Sequence, residues 1–338
     1  MPAPLRVAQV GLGPIGRATA RLLADAPWAS LAGGVDASPA LAGRPLAEVC
    51  ELPGDATGTR ALPPVAPSFS DLAGASKIDA VLLTTGSRCA ETFALARPML
   101  EAGLTVVTSC EELLFPAHRE PALTAEIDAL CRRTGARMLG TGVNPGFVLD
   151  LLPVLMSGIC ARLRRVKGTR IVDAATRRTP LQHKIGCGLD PDTFRERWRD
   201  GRAGHAGFQE SLRLIVHALN WPVGPIEETC APVIAQSPLR TVDRCVESGH
   251  VRGLHQSVRA QTPDGRSIHL NLTMALAEAD PHDAIRLDAD PPVHLRIEGG
   301  IAGDLATAAA LLNALRPLHA APPGVRLLTD IPPPRCAL

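Results

Sequence analysis

Tyrosine is absent from this sequence, and aromatic residues of any kind make up only 3% of it. No tyrosine hydroxyl can then serve as a general acid here, which removes one common dehydrogenase design. Organised cysteine is missing as well. The nine cysteines are scattered from Cys50 to Cys336, with no C-x-x-C pair and no histidine at metal-ligand spacing. Neither a metal site nor a disulfide framework is expected; reduced thiols in a cytoplasmic protein are. No apolar run approaches the ~20 residues of a membrane span. The first residues, with Arg6 leading into a strand-like run, do not read as a signal peptide. Charge of one sign is lacking too. The formal net charge of +1 gives no field to draw in nucleic acid or an anionic membrane, so neither is expected as a partner. The basic cluster from Arg162 to Lys167 is expected to be a solvated helix or loop face.

What is present is a large apolar fraction, 46% of 338 residues, enough for two packed domains or one domain with a large insertion. The stretch RVAQVGLGPIGRATARLLA, from Arg6 to Ala24, organises the first. A short apolar strand runs into Gly11, Gly13 and Gly16 at G-x-G-x-x-G spacing, and apolar residues at helical period follow. Gly11 permits a tight turn, Gly13 lets backbone N–H groups approach a pyrophosphate, and Gly16 lets helix pack on strand. The helix start offers unpaired N–H donors and a partial positive charge. Pro14 falls near the first helical position, where a missing N–H costs nothing, and Ile15 follows it. A second strand, Ser30 to Val35, ends in Asp36, where a carboxylate meets adenosine ribose hydroxyls. NAD is the expected cofactor on that ground. Ser38 and Arg44 nearby leave NADP open.

Further strands are predicted at Ile78 to Thr84, Leu104 to Ser109 and Arg137 to Gly140, alternating with helices over Cys89 to Ala102 and Pro121 to Thr134. This rhythm predicts an α/β fold: a Rossmann doubly wound parallel sheet over residues 1–150. After Thr141 the pattern changes. Phe147 to Met156 reads as the start of a helix, Val166 to Asp173 as a strand, Pro191 to Asn220 as helical, and Val251 to Glu298 as strands with a hairpin turn at Thr262 to Gly265. Residues 151–301 are expected to form an α+β substrate and dimerisation domain. Residues 302–338 are expected to return to the first domain through an alanine-rich helix, Ala306 to Leu318, with Asp304 as its N-cap.

Ligands of open α/β sheets bind outside the carboxyl ends of the strands. Three polar stretches lie there: Thr84 to Ser87, with Thr85 and Gly86 exposed to a ribose or phosphate; Thr108 to Glu112 (TSCEE); and Gly140 to Gly146 (GTGVNPG). Glu111 and Glu112 form the candidate catalytic pair, one expected to face the cleft and the other to point away. Both also suit the first turn of a short helix. Asn144 and Pro145 are either a purely structural turn or a contact for the nicotinamide. His205, in GHAGFQES, is a candidate for the site or an ordinary buried histidine.

Taken together, GLGPIGR, TSCEEL, GTGVNPGFVLD, GHAGFQES and the closing GGIAGDLATAAALLNALRPLHAAPPGVRLLTDIPPP resemble the 2,4-diaminopentanoate dehydrogenases and the related native amine dehydrogenases. These are distant relatives of dihydrodipicolinate reductase, whose paired-histidine and lysine motif is not found here. The resemblance implies NAD(P)-dependent reductive amination of a ketone or aldehyde with ammonia, and the reverse oxidative deamination, by a homodimer. It implies a catalytic glutamate at Glu111, or else Glu112, with Asn144 and Pro145 against the nicotinamide. Cys110, Phe147, Arg177 and His205 then become candidates for the substrate pocket. Family pockets are built partly from aromatics, so the missing tyrosine points to a different pocket shape. Two alternatives stand beside this reading. A diamino-acid substrate needs a carboxylate anchor, for which Arg170, Arg177 or Lys184 is available. A dinucleotide-binding regulatory module needs no carboxylate at a strand tip.

Overall fold

The computed structural model of the chain describes residues 3–52, 62–75, 77–176, 179–240 and 245–336. The chain divides into two compact units: residues up to Phe147 together with those from Ala302 onward, and Val148–Ile301.

In the first unit β1 (Leu5–Val10), α1 (Pro14–Ala24), β2 (Ala29–Val35), α2 (Leu46–Cys50), α3 (Phe69–Ala75), β3 (Ala80–Leu83), α4 (Cys89–Glu101), β4 (Thr105–Thr108), α5 (Pro121–Thr134) and β5 (Arg137–Gly140) follow in order. β3 and β4 are buried at every residue, as apolar runs covered on both faces of a parallel sheet must be. α4 ends where expected, with Gly103 at φ +78° just beyond its cap.

The second unit contains α6 (Leu151–Ser157), β6 (Arg162–Asp173), α7 (Thr179–Lys184), α8 (Pro191–Arg199), α9 (Phe208–Leu219), β7 (Glu227–Ile234), β8 (Leu239–Arg240), β9 (Cys245–Val246), β10 (Val251–Gln261), β11 (Ser267–Ala275), β12 (His282–Asp290) and β13 (Val293–Glu298). Its main sheet runs β13-β12-β6-β11-β10-β7 and is antiparallel except for the β11–β6 pair. Side chains alternate. Val166, Ile268, Leu270, Leu272 and Val258 are buried, while Lys167, Arg259 and Arg286 on the opposite face are exposed. The hairpin turn closes with Thr262 N–H to the Arg266 carbonyl at 2.9 Å and Gly265 N–H to the Thr262 carbonyl at 3.0 Å.

The last segment, α10 (Gly303–Ala320) and β14 (Gly324–Arg326), belongs to the first unit. α10 packs against α1, β3, β4 and β5, and β14 adds a parallel strand beside β5. The completed sheet has the order β14-β5-β4-β3-β1-β2, every neighbour parallel.

Three expectations are corrected. Arg162 to Lys167 is neither helix nor loop but the first half of β6; its charges point outward from one sheet face and leave the strand intact. The helix expected from Phe147 starts at Leu151, because Asp150 caps it by accepting from Leu151 N–H at 2.6 Å. Asp304 is not the cap of α10. Ala302 holds that position, and Asp304 lies in the first turn, where the helix dipole favours a carboxylate. β7 and β14 had no counterpart in the sequence reading.

Candidate functional site

The glycine loop joins β1 to α1. Gly11 sits at φ +85°, and a Cβ there would lie 2.7 Å from the Thr84 carbonyl oxygen. A Cβ on Gly16 would lie 1.9 Å from the Gly11 carbonyl oxygen, so strand and helix meet with no room for a methyl. Gly13 differs. Its φ of −65° suits any residue, and a Cβ would find nothing within 4 Å. Neither backbone strain nor any described neighbour requires glycine at this position. It caps the N-terminus of α1, exposed together with Pro14, with Ile15 half-buried behind. An open cradle before a helix start suits a pyrophosphate, and so this loop fits a dinucleotide.

The loop is braced from below and from the side. Gln9 is fully buried, and its Nε2 donates to the Val10 carbonyl (3.2 Å), the Gly11 carbonyl (3.1 Å) and Thr84 Oγ1 (2.9 Å). Thr84 Oγ1 donates in turn to the Gly11 carbonyl at 2.9 Å, so its hydroxyl serves the loop. Thr85 and Gly86 are exposed beyond the end of β3. Asp36, half-buried at the end of β2, accepts from Leu12 N–H at 2.7 Å through Oδ2 and from Ser38 N–H at 2.9 Å through Oδ1. Its carboxylate is therefore held by the backbone on both oxygens. Sequence reasoning missed Gln9, although a glutamine inside the apolar run RVAQVG was a visible signal.

At the tip of β4 the two adjacent glutamates separate. Glu111 opens the 3₁₀ helix Glu111–Leu114 and is half-buried. Glu112 is only 6% exposed. It accepts from Cys89 N–H at 2.8 Å and from the Arg88 guanidinium at 3.1 Å. Cys110, expected in a substrate pocket, is instead part of the apolar core of the first unit, 1% exposed. Burial pushes its thiol up to about 12, so it is neither a lining residue nor a nucleophile.

At the tip of β5 the chain approaches this 3₁₀ helix closely. A Cβ on Gly140 would lie 2.4 Å from the backbone carbon and oxygen of Leu113. The loop beyond folds on itself: the Asn144–Pro145 peptide is cis, Gly146 has φ +127°, and Val143 N–H reaches Thr307 Oγ1 of α10 at 3.4 Å. Asn144 and Phe147 are half-buried, and Pro145 is buried. Glu111, the glycine loop, Thr85, Gly86 and Asn144 thus all lie in loops at the carboxyl ends of the parallel strands, where such sheets bind ligands.

The remaining candidates fall in the second unit or outside the described residues. His205 lies in the loop between α8 and α9, its backbone clamped by buried Gln256, which accepts from His205 N–H at 2.8 Å and donates to its carbonyl at 3.1 Å. Arg177 lies outside the described residues. Arg170, considered as a substrate-carboxylate anchor, is 2% exposed and committed internally. Its guanidinium bonds both oxygens of Asp283 (2.8 and 2.7 Å) and the Ile301 carbonyl (2.7 Å). Among the described residues no group of three or more His, Cys, Asp or Glu side chains is placed to hold a metal ion, and no helix is long and apolar enough to cross a membrane.

A parallel six-stranded sheet with a glycine-rich first turn, joined to an α+β unit, defines a protein of the Rossmann class. Within that class the chain belongs to the family described as the 2,4-diaminopentanoate dehydrogenase C-terminal domain, whose model matches residues 147–338. The chain is 26% identical to the 2,4-diaminopentanoate dehydrogenase of Acetoanaerobium sticklandii over 277 residues, covering 80% of this chain and 78% of that protein. Its fold matches the amine dehydrogenase of Mycobacterium smegmatis with a TM-score of 0.86 at 22% identity, over 99% of this chain and 98% of that one. A more distant likeness, TM-score 0.54 at 19% identity over 88% and 75% of the two chains, is to the WlbA dehydrogenase of Bordetella pertussis in complex with NADH and UDP-GlcNAcA.

Proposed function

We propose that this protein is a nicotinamide-dependent amine dehydrogenase that interconverts an amine with the corresponding ketone or aldehyde and ammonia. In the aminating direction a carbonyl compound, ammonium, a reduced nicotinamide and a proton give the protonated amine, water and the oxidised nicotinamide. Glu111 carries the protons. It takes one from ammonium, which frees the lone pair that attacks the carbonyl carbon. It returns one to the hydroxyl of the carbinolamine, so that water leaves and a C=N bond forms. Its negative charge then stabilises the cationic iminium. A reduced nicotinamide dinucleotide, when bound, would supply the hydride that this carbon receives. Gly13 and the start of α1 would hold its pyrophosphate, and Asp36 its adenosine ribose.

The observation that carries this reading is the difference in burial between the two carboxylates at the tip of β4. Glu112 is buried against the start of α4, whereas Glu111 is half-buried at the head of the 3₁₀ helix, at the carboxyl end of the parallel strands, which supports Glu111 as the glutamate within reach of a substrate. Family membership supports the amine as substrate. Glu111→Gln is expected to lower kcat by about 10²–10⁴-fold while the Kd for NADH stays within about twofold. Retention of wild-type amination would remove Glu111 from the mechanism.

Asp36 supports NAD over NADP. Two backbone N–H groups fix its carboxylate, so it cannot swing aside from a 2′-phosphate. The expected result is kcat/KM at least about tenfold higher with NADH than with NADPH. Preference for NADPH in steady-state kinetics would refute it. A second reading, 2,4-diaminopentanoate itself as substrate, is favoured by the Acetoanaerobium relative. Oxidation of a panel of simple amines and 2,4-diaminopentanoate with NAD separates the two. A homodimer is proposed for the protein in solution, which light scattering tests.

A further inference from the structure

The amino end of α4 has no cap of its own. Arg88 occupies the N-cap position and makes no side-chain bond there, so the cap comes from elsewhere in the chain. Glu112, more than twenty positions further on, accepts from Cys89 N–H through Oε2 and from Arg88 through Oε1, while Glu112 N–H reaches the Ser87 carbonyl at 3.4 Å. A carboxylate at a helix start gains from the dipole as well as from the hydrogen bond. The two ends of the ion pair differ in environment: the Glu112 side chain is 8% exposed and that of Arg88 60%. The buried end is therefore costly to strip of its partners. On the other side of the same 3₁₀ helix, Leu113 rests on Gly140 so tightly that no Cβ fits between them. Glu111 thus begins a segment clamped from the β3–α4 side by Glu112 and from the β5 side by Gly140.

We infer that Glu112, with Arg88, is a positioning residue: it fixes the 3₁₀ helix against α4 and so fixes Glu111 for proton transfer. This inference rests on the assignment of Glu111 as the proton carrier. Neither Glu112 nor Arg88 handles a proton. A carboxylate misplaced by about 1 Å can cost about 10²-fold in rate, so loosening either clamp is expected to lower kcat without changing what binds.

The test compares five variants, Glu111→Gln, Glu112→Gln, Glu112→Asp, Arg88→Met and Gly140→Ala, each assayed for NADH binding by fluorescence titration, for kcat and KM, and for thermal stability. Glu112→Gln and Gly140→Ala are expected to lose about 10–100-fold in kcat per NADH-binding site, with the Kd for NADH and the KM for amine within about threefold of wild type. Arg88→Met, which keeps the bond to Cys89 N–H, is expected to lose less, and Glu112→Asp to recover part of the loss. A purely structural role would lower the melting temperature and the yield of binding sites, yet leave kcat per site unchanged. If Glu111→Gln is inactive while Glu112→Gln and Gly140→Ala keep kcat per site within about twofold, the positioning role is overturned and the Glu111 assignment survives. If Glu112→Gln loses about 10³-fold or more in kcat per site, the scale of a lost acid–base group, Glu112 is itself a proton carrier and the inference is wrong. If Glu111→Gln keeps full turnover, both fall. Should Glu112→Gln fail to fold, Arg88→Met and Gly140→Ala decide the question by the same criteria.

Discussion

Gly13 and Gly16 are three residues apart in one motif, yet their hydrogens face different surroundings. A methyl on Gly16 would meet the Gly11 carbonyl at 1.9 Å, whereas a methyl on Gly13 would meet nothing within 4 Å. Their alanine variants should therefore separate folding from binding. Gly16→Ala is expected to unfold at markedly lower urea concentration, because strand and helix must move apart. Gly13→Ala is expected to stay within about 1 kcal/mol of wild-type stability, the usual scale of an exposed N-cap change, yet to bind NADH at least about tenfold more weakly. Urea denaturation and fluorescence titration of the two proteins check this. Equal loss of affinity and stability in Gly13→Ala would mean that the cradle is not a ligand site. The glycine spacing was legible in the sequence because the motif is short and contiguous, although only Gly11 and Gly16 answer to the geometry of the folded chain. The difference in burial between Glu111 and Glu112 was not legible. The partners of Glu112, Cys89 and Arg88, lie 23 and 24 residues away, and only the folded sheet brings the tips of β3 and β4 together.

At the scale of elements, two polar contacts hold structure that apolar packing does not. In the second unit the buried Arg170–Asp283 pair ties β6 to β12, and Asp283 also accepts from Ile301 N–H at 2.8 Å. Asp283→Asn leaves a guanidinium charge buried without its counter-charge, and a loss of about 3–5 kcal/mol is expected from urea denaturation. In the first unit His319 of α10 bonds Thr105 Oγ1 of β4 at 2.9 Å. Burial, with Arg137 nearby, holds the pKa of His319 below its usual value, opposed by Asp79. The unfolded chain then binds a proton more readily than the folded one. This histidine leaves stability intact above about pH 6.5 and erodes it as pH falls from there towards the lower folded pKa. His269 is shifted the same way by burial and by Lys167, Arg259 and His255, so both act together. The melting temperature is expected to fall between pH 7.5 and 5.5, and to fall less steeply in His319→Gln, as a pH series of calorimetric scans will report. The strands that carry these residues were read from sequence where they alternate cleanly. β7 escaped notice because Pro232 interrupts it, which only an edge strand tolerates, and β14 because three residues carry no periodicity.

For the whole molecule, the change from strand–helix alternation to long alternating strands was visible without coordinates, because the two sheet types differ in which faces are covered. The pattern already suggested that the closing helix returns to the first domain. What it did not convey is the parallel strand β14 beyond that helix, beside β5, in a first unit made of the stretches up to Phe147 and from Ala302 onward with Val148–Ile301 between them. The later stretch contributes Leu311, Leu312, Leu315 and Leu318, all 1% exposed or less, and the strand that covers the edge of β5. During synthesis, therefore, the nucleotide-binding half begins first and finishes last. On leaving the ribosome the middle segment has all its own strands, while the earlier one waits with an uncovered sheet for residues not yet made. A chain stopped after Ile301 is expected to aggregate and to bind no NADH, while protease still spares the middle segment. Any mutation that slows or weakens the final helix would then expose the first unit to the cell's degradation machinery, even though it lies far along the chain from the glycine loop.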